Sequence, residues 1–213
     1  MAWYNWFGIF SLAICLAVCL YHVIRLIKLG MPVEYSGRSG SPVSGIVYSF
    51  TSAMNPSVKE SASLNLPVYI AGIVYHLGTF IAGILFMTVI AGLSPSGYHL
   101  LFFAFFLFIS ALSGTGILIK RLTDKKLLYI SLPDDYISNV LVTFFQASGG
   151  VFLLLPGSEP VFMISAGLMM LYLPVGKLRH AIYFFAARFH LGFFYGWRNV
   201  WPLHKQKVDE RSK

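Results

Sequence analysis

Five long apolar stretches leave this chain little choice of fold. A helix needs about 20 predominantly apolar residues to cross the hydrocarbon core of a bilayer, and its backbone must hydrogen-bond within its own segment because no water is there. Runs at about 2–27, 66–92, 99–119, 136–155 and 160–187 meet that length. With 57% hydrophobic and 11% charged residues, the chain lies outside the range of soluble globular domains. The sequence predicts an all-α integral membrane protein with five transmembrane helices. Ser94-Pro95-Ser96-Gly97 and Pro156-Gly157-Ser158 mark short turns between runs, as Pro and Gly punctuate a helical pattern. Asp134 and Asp135 open the fourth run, where carboxylates can cap a helix N-terminus. The first ten residues show neither a basic n-region nor a small-residue cleavage site, so a retained helix is expected there and not a signal peptide.

The basic residues predict an orientation. Arg25, Lys28, Arg38 and Lys59 surround the first loop, and Lys120, Arg121, Lys125 and Lys126 fill the third. Lys177, Arg179, Arg188 and Arg198 gather toward the end of the fifth run, and Lys205, Lys207, Arg211 and Lys213 lie beyond it. With five spans all of these fall on one side, so the positive-inside rule puts the N-terminus outside and the C-terminus in the cytoplasm. Trp3, Tyr4 and Trp6 would then sit at the outer interface as an aromatic belt. The net charge of +8 is accounted for by topology, and nucleic acid is not expected as a partner. The expected organisation is a five-helix membrane domain over 1–192 and a basic cytoplasmic tail over 193–213. The connection over 30–65 is long and rich in Gly, Ser and Pro, with a mildly amphipathic middle at 46–54. It suits a segment lying on the membrane surface as well as a flexible linker.

Two histidines stand inside apolar runs: His76 in the second and His180 in the fifth. A polar side chain at bilayer depth is costly unless paired, so it marks a functional site by default. His76 is about ten residues into its span, roughly 15 Å from the inner boundary at 1.5 Å per residue. His180 approaches the same side from the other direction, which predicts similar depth in the inner half of the membrane. Gly72 precedes His76 by one turn and Gly83 projects on nearly the same side; Gly176 precedes His180 by one turn. An imidazole flanked by a strip without side chains suits a flat macrocycle, and paired helices offer ligands to its two faces. The expectation is that His76 and His180 are axial ligands of one b-type haem. Lys177 and Arg179 stand near enough to neutralise its propionates or to anchor the helix at the headgroups. The plainer alternative is glycine for close packing and histidine bonded to a neighbouring carbonyl. His22 and His190 are shallower candidates for a second haem, and His99 and His204 are expected at the interface and in solvent. Cys15 and Cys19, one turn apart, are expected as small buried residues, since neighbours on one helix make poor disulfide partners.

The fifth run reads Leu173-Pro174-Val175-Gly176-Lys177-Leu178-Arg179-His180, then Ala187-Arg188, then Gly192-Phe193-Phe194-Tyr195-Gly196-Trp197-Arg198. Together with Tyr75-His76-Leu77-Gly78 it resembles the respiratory nitrate reductase gamma subunit family of membrane cytochromes b. The segment Asn55-Pro56-Ser57-Val58-Lys59-Glu60-Ser61 is similar to the branch paired with heterodisulfide-reductase-like iron–sulfur subunits. The resemblance implies haem b, quinone or menaquinone as exchangeable substrate, and an iron–sulfur partner on the cytoplasmic face. It also implies other membrane or multihaem cytochrome partners, in the plasma membrane of a prokaryote. The chain would be an electron-transfer subunit of a respiratory complex, with Lys59, Glu60 and Tyr75 as candidate proton-handling groups. One departure matters. Members of that family carry two histidines ten apart on the second helix, whereas here Leu66 and Phe86 stand ten before and ten after His76, which points toward one haem. The competing class is a transporter or a structural anchor, but a proton-coupled transporter usually carries carboxylates in its spans or an internal repeat.

Overall fold

The computed structural model describes residues 2–31, 33–56, 65–93 and 95–203. Its helices are α1 (Trp3–Lys28), α2 (Pro42–Phe50), α3 (Leu66–Ile90), α4 (His99–Thr123), α5 (Lys125–Ile130), α6 (Pro133–Leu154), α7 (Glu159–Tyr172) and α8 (His180–Trp197). Two 3₁₀ turns, η1 (Ser52–Met54) and η2 (Lys177–Arg179), stand beside them, and there is no strand among the described residues. Among the described residues, four helices (α1, α3, α4 and α6) are long and apolar enough to cross a membrane. A fifth span exists if α7 and the segment from Lys177 count as one broken crossing.

Helix starts follow local chemistry. The Ser41 hydroxyl accepts from the Ser44 amide at 3.3 Å with Pro42 behind it, which begins α2 four residues earlier than the amphipathic pattern indicates. Asp124 caps α5 through the Lys126 amide at 2.9 Å. Pro133 opens α6, and Asp135 reaches back to the Leu132 amide at 2.9 Å, as expected of an acidic first turn. The basic pair Lys120 and Arg121 extends α4 past its apolar run to Thr123, where cations suit the helix's negative end.

The fifth run departs from expectation. It is not one helix over 160–187. Pro174 lacks an amide hydrogen, and its ring would clash with the carbonyl one turn back. Helix α7 therefore stops at Tyr172, η2 follows the break, and α8 starts at His180. α8 then continues through Trp197, so residues 193–197 are helical; residues 204–213 lie outside the described residues.

The chain packs as two units, Met1–His22 with Asn65–His180, and Val23–Leu64 with Ala181–Lys213. In the first, α6 is central and packs on α4, α7 and α3. Its core joins Ala82, Leu85 and Phe86 of α3 to Leu107, Val142, Phe145, Phe162, Met163, Ala166 and Met169. The Phe145 and Phe152 rings stack on Phe162 at 5.6 and 5.3 Å. Close approach is built from glycine: at Gly8 an added Cβ would meet Met163 at 2.8 Å and Phe86 at 3.1 Å. Large apolar side chains such as Phe80, Ile84, Phe102, Phe105 and Leu112 point outward, as a lipid-facing surface requires.

The second unit is held by backbone contact. Gly192 and Gly196, four apart on α8, lie against Gly45, Ile46, Ser41 and Pro42 of the α2 segment; small residues at this spacing let helix backbones touch. The Ser39 and Gly40 amides both donate to the Trp197 carbonyl at 3.0 Å. The Trp197 indole donates to the Ser36 carbonyl at 2.9 Å. Glu34 pairs with Arg198 at 2.6 Å, and the Ser36 amide and hydroxyl, with that guanidinium, hold its carboxyl below the usual carboxylate range.

Candidate functional site: two facing imidazoles

The site starts with a buried polar ladder that fixes the rotation of α3. Gln146 of α6 is fully buried and donates to the Tyr75 carbonyl and the Thr79 hydroxyl, both at 2.8 Å. Ser110 of α4 donates to Gln146 Oε1 and to the Val74 carbonyl, both at 3.0 Å. The Tyr75 hydroxyl donates to the Asn139 carbonyl at 2.9 Å and meets the Thr143 hydroxyl at 3.1 Å. Successive residues rotate by about 100° around a helix, so anchoring Tyr75 inside the bundle turns His76 to the open face of α3. The hydroxyl of Tyr75, expected among the proton-handling groups, is hydrogen-bonded within this anchor. Lys59 and Glu60 lie outside the described residues.

His76 and His180 are brought together. Their ring centres lie 6.4 Å apart with an interplanar angle of 73°, and both are exposed. Each Nδ1 is tied to a backbone carbonyl: His76 to Gly72 at 2.7 Å and His180 to Lys177 at 2.8 Å. A carbonyl can only accept, so Nδ1 carries the proton in both rings, and Nε2 is the nitrogen that the neutral ring offers to a metal. No hydrogen bond joins the two imidazoles among the described residues. This second-sphere bond to a carbonyl is the habitual arrangement of metal-ligating histidine, since it fixes tautomer and ring orientation.

The spacing fits a metal between the rings. Two metal–imidazole bonds of about 2 Å, plus about 1 Å from each nitrogen to its ring centre, set two opposed imidazole centres about 6 Å apart. Two imidazoles are too few for a bare tetrahedral ion and are the number a planar tetrapyrrole leaves open. Beside His76, an added Cβ at Gly72 or Gly83 would meet nothing within 4 Å, so there is open space at both glycines, with the exposed Phe80 ring between His76 and Gly83.

Three sequence expectations need correction here. Gly176 does not provide a matching strip beside His180. It is extended (φ −87°, ψ −163°) and precedes η2, and the Tyr172 ring fills the space a Cβ would take. The cause is the Pro174 break, which removes Gly176 from the helix that carries His180. His180 is therefore the first residue of α8 and not a mid-span residue. Lys177 is not a free cation for a propionate, because its ammonium bonds Asp135 Oδ1. Arg179, by contrast, is exposed and makes no ion pair among the described residues.

The histidines expected to be shallower make other contacts. His22 Nε2 bonds the Pro174 carbonyl at 3.2 Å, so the nitrogen that would bind iron braces the break instead. His190 of α8 packs edge-on against Phe189, and His99 lies exposed at the start of α4. Arg188 folds onto the Met54 sulfur and receives the Ser49 hydroxyl on its carbonyl at 2.8 Å, a packing role that composition alone does not signal. Cys15 and Cys19 are free thiols with sulfurs 3.9 Å apart. Sequence reasoning missed the partners of Asp135, which is 5% exposed and pairs with Arg121 at 3.3 Å as well as with Lys177. The signal was present in Pro133-Asp134-Asp135, but the cations come from residues 14 before and 42 after. No family model, curated protein or solved structure matches the chain.

Proposed function

We propose that this protein is a haem b membrane subunit of a respiratory oxidoreductase complex, with His76 and His180 as the axial ligands of a single haem. The observation that carries the reading is the close pair itself, with ring centres 6.4 Å apart, each Nδ1 bonded to a carbonyl and neither Nε2 hydrogen-bonded among the described residues. Gly72 and Gly83 leave the space a flat macrocycle needs beside His76. A haem bound between them supplies one-electron redox chemistry. The residues around it hold and orient: the Gly72 and Lys177 carbonyls fix the two tautomers, the Tyr75–Gln146 ladder sets the rotation of α3, and Arg179 stands free to meet a carboxylate. The protein would pass electrons between the quinone or menaquinone pool and an iron–sulfur subunit on the cytoplasmic face, in a prokaryotic plasma membrane. The charge distribution supports an outside N-terminus.

Oxidised and dithionite-reduced spectra of the purified protein test this directly. The expected result is a b-type α band at one haem per chain, lost in both His76→Ala and His180→Ala. Absence of the band in the unsubstituted protein overturns the proposal; retention in both variants shows that other residues bind the haem.

A further inference from the structure

We infer that Asp135 is a positioning residue for His180, acting through Lys177. This inference rests on the haem reading above and names what keeps the ligand in place. The difficulty is local. His180 begins a helix just after a proline break, and only η2 separates it from non-helical chain. A segment without continuous i to i−4 bonding is free to swing unless its side chains are tied down.

Three ties act on this segment. Upstream, His22 Nε2 bonds the Pro174 carbonyl at 3.2 Å. Within η2, Leu178 packs against the hydrophobic core. Immediately before the ligand, Lys177 bonds Asp135 with its ammonium and His180 Nδ1 with its carbonyl, the latter at 2.8 Å. One residue thus joins a buried carboxylate to the imidazole. Asp135 is itself immobilised: its second oxygen takes the Leu132 amide at 2.9 Å and Arg121 at 3.3 Å, and its side chain is 5% exposed. The Lys177 side chain is 55% exposed, so the ion pair contributes little to global stability. Its consequence is placement. Without Asp135, η2 loses one of its three ties, the one at the residue whose carbonyl holds the His180 ring, and that carbonyl is less firmly placed.

The test uses the full chain with haem bound. Removing a second-sphere partner costs about 10–100-fold in metal affinity. Asp135→Asn and Lys177→Met are each expected to lose haem to an excess of a haem-scavenging protein about 10-fold faster. The haem that remains should show a changed low-spin electron paramagnetic resonance signature. Lys177→Arg should restore both properties, and Lys120→Met, at an exposed cation on α4, should change neither. If Asp135→Asn does not fold, Lys177→Met decides, because it leaves Asp135 paired with Arg121. Wild-type rates and signatures in Lys177→Met overturn the inference while the haem reading stands. A wild-type protein that holds no haem overturns the haem reading and this inference with it.

Discussion

Replacing Gly78 with alanine tests the packing that places His76. Gly78 lies on α3 two residues beyond the histidine and faces Ser110 of α4. A Cβ added there would fall inside 3.0 Å of both the Oγ and the Cβ of Ser110, with Gln146 Cδ at 3.5 Å. The hydroxyl could rotate away, but the Ser110 Cβ is fixed to the backbone, so the helices must separate. Overpacking of this kind costs about 1–3 kcal/mol. Separation also lengthens the Ser110 bonds to the Val74 carbonyl and to Gln146, each 3.0 Å. Hydrogen bonds between membrane helices average about 0.6 kcal/mol each, so the total expected loss is about 2–4 kcal/mol. The assay is reversible unfolding in mixed micelles with added denaturing detergent, followed by circular dichroism. Ser110→Gly alone removes the hydroxyl bonds; combined with Gly78→Ala it also removes the obstructing carbon. A favourable coupling of about 1–2 kcal/mol between the two substitutions is therefore expected, within the range for residues in contact. The reasoning is refuted if Gly78→Ala lies within about 0.5 kcal/mol of wild type, or if the two substitutions are additive.

Further outcomes follow from the same contacts. Phe162→Ala removes a fully buried ring stacked on Phe145 and Phe152 and should cost about 3–5 kcal/mol in the same unfolding assay. Gly192→Ala would drive a Cβ against the Ile46 amide and Gly45 carbonyl, both at 2.9 Å; backbone cannot yield, so α2 amides should lose hydrogen-exchange protection while those of α6 keep theirs. Because Ser36 and Arg198 lower the Glu34 pKa, its contribution to folding is fully present above the unfolded carboxylate value of about 4.3. That contribution is lost as pH falls through the lower folded value. Exchange protection of the Ser39 and Gly40 amides, which bond the Trp197 carbonyl, should therefore be flat near neutrality and weaken only in acid; unchanged protection well below the carboxylate range would refute the role given to Glu34.

Much of the helical plan was legible without coordinates. Four apolar runs became helices α1, α3, α4 and α6 with ends close to those expected, because a run of about 20 apolar residues has few other ways to satisfy its backbone. His76 and His180 were legible as two histidines within apolar runs; that their rings come within 6.4 Å of each other is the work of the fold. Pro174 is equally visible, but hydropathy sums over a window and is blind to one missing amide hydrogen. That one residue moved His180 to a helix start and took Gly176 out of the groove.

The order of apolar and basic residues by itself determined that the chain is helical, how many long apolar segments it has, and which histidines stand within them. These are properties of local composition and period, to which each residue contributes without reference to distant ones. Tertiary structure alone decided that Asp135 captures Arg121 and Lys177, that Gln146 sets the rotation of α3, and that the two imidazole centres lie 6.4 Å apart. Each of those facts depends on residues tens of positions apart meeting within a few ångströms, and a hydrogen bond or ion pair exists only at that distance.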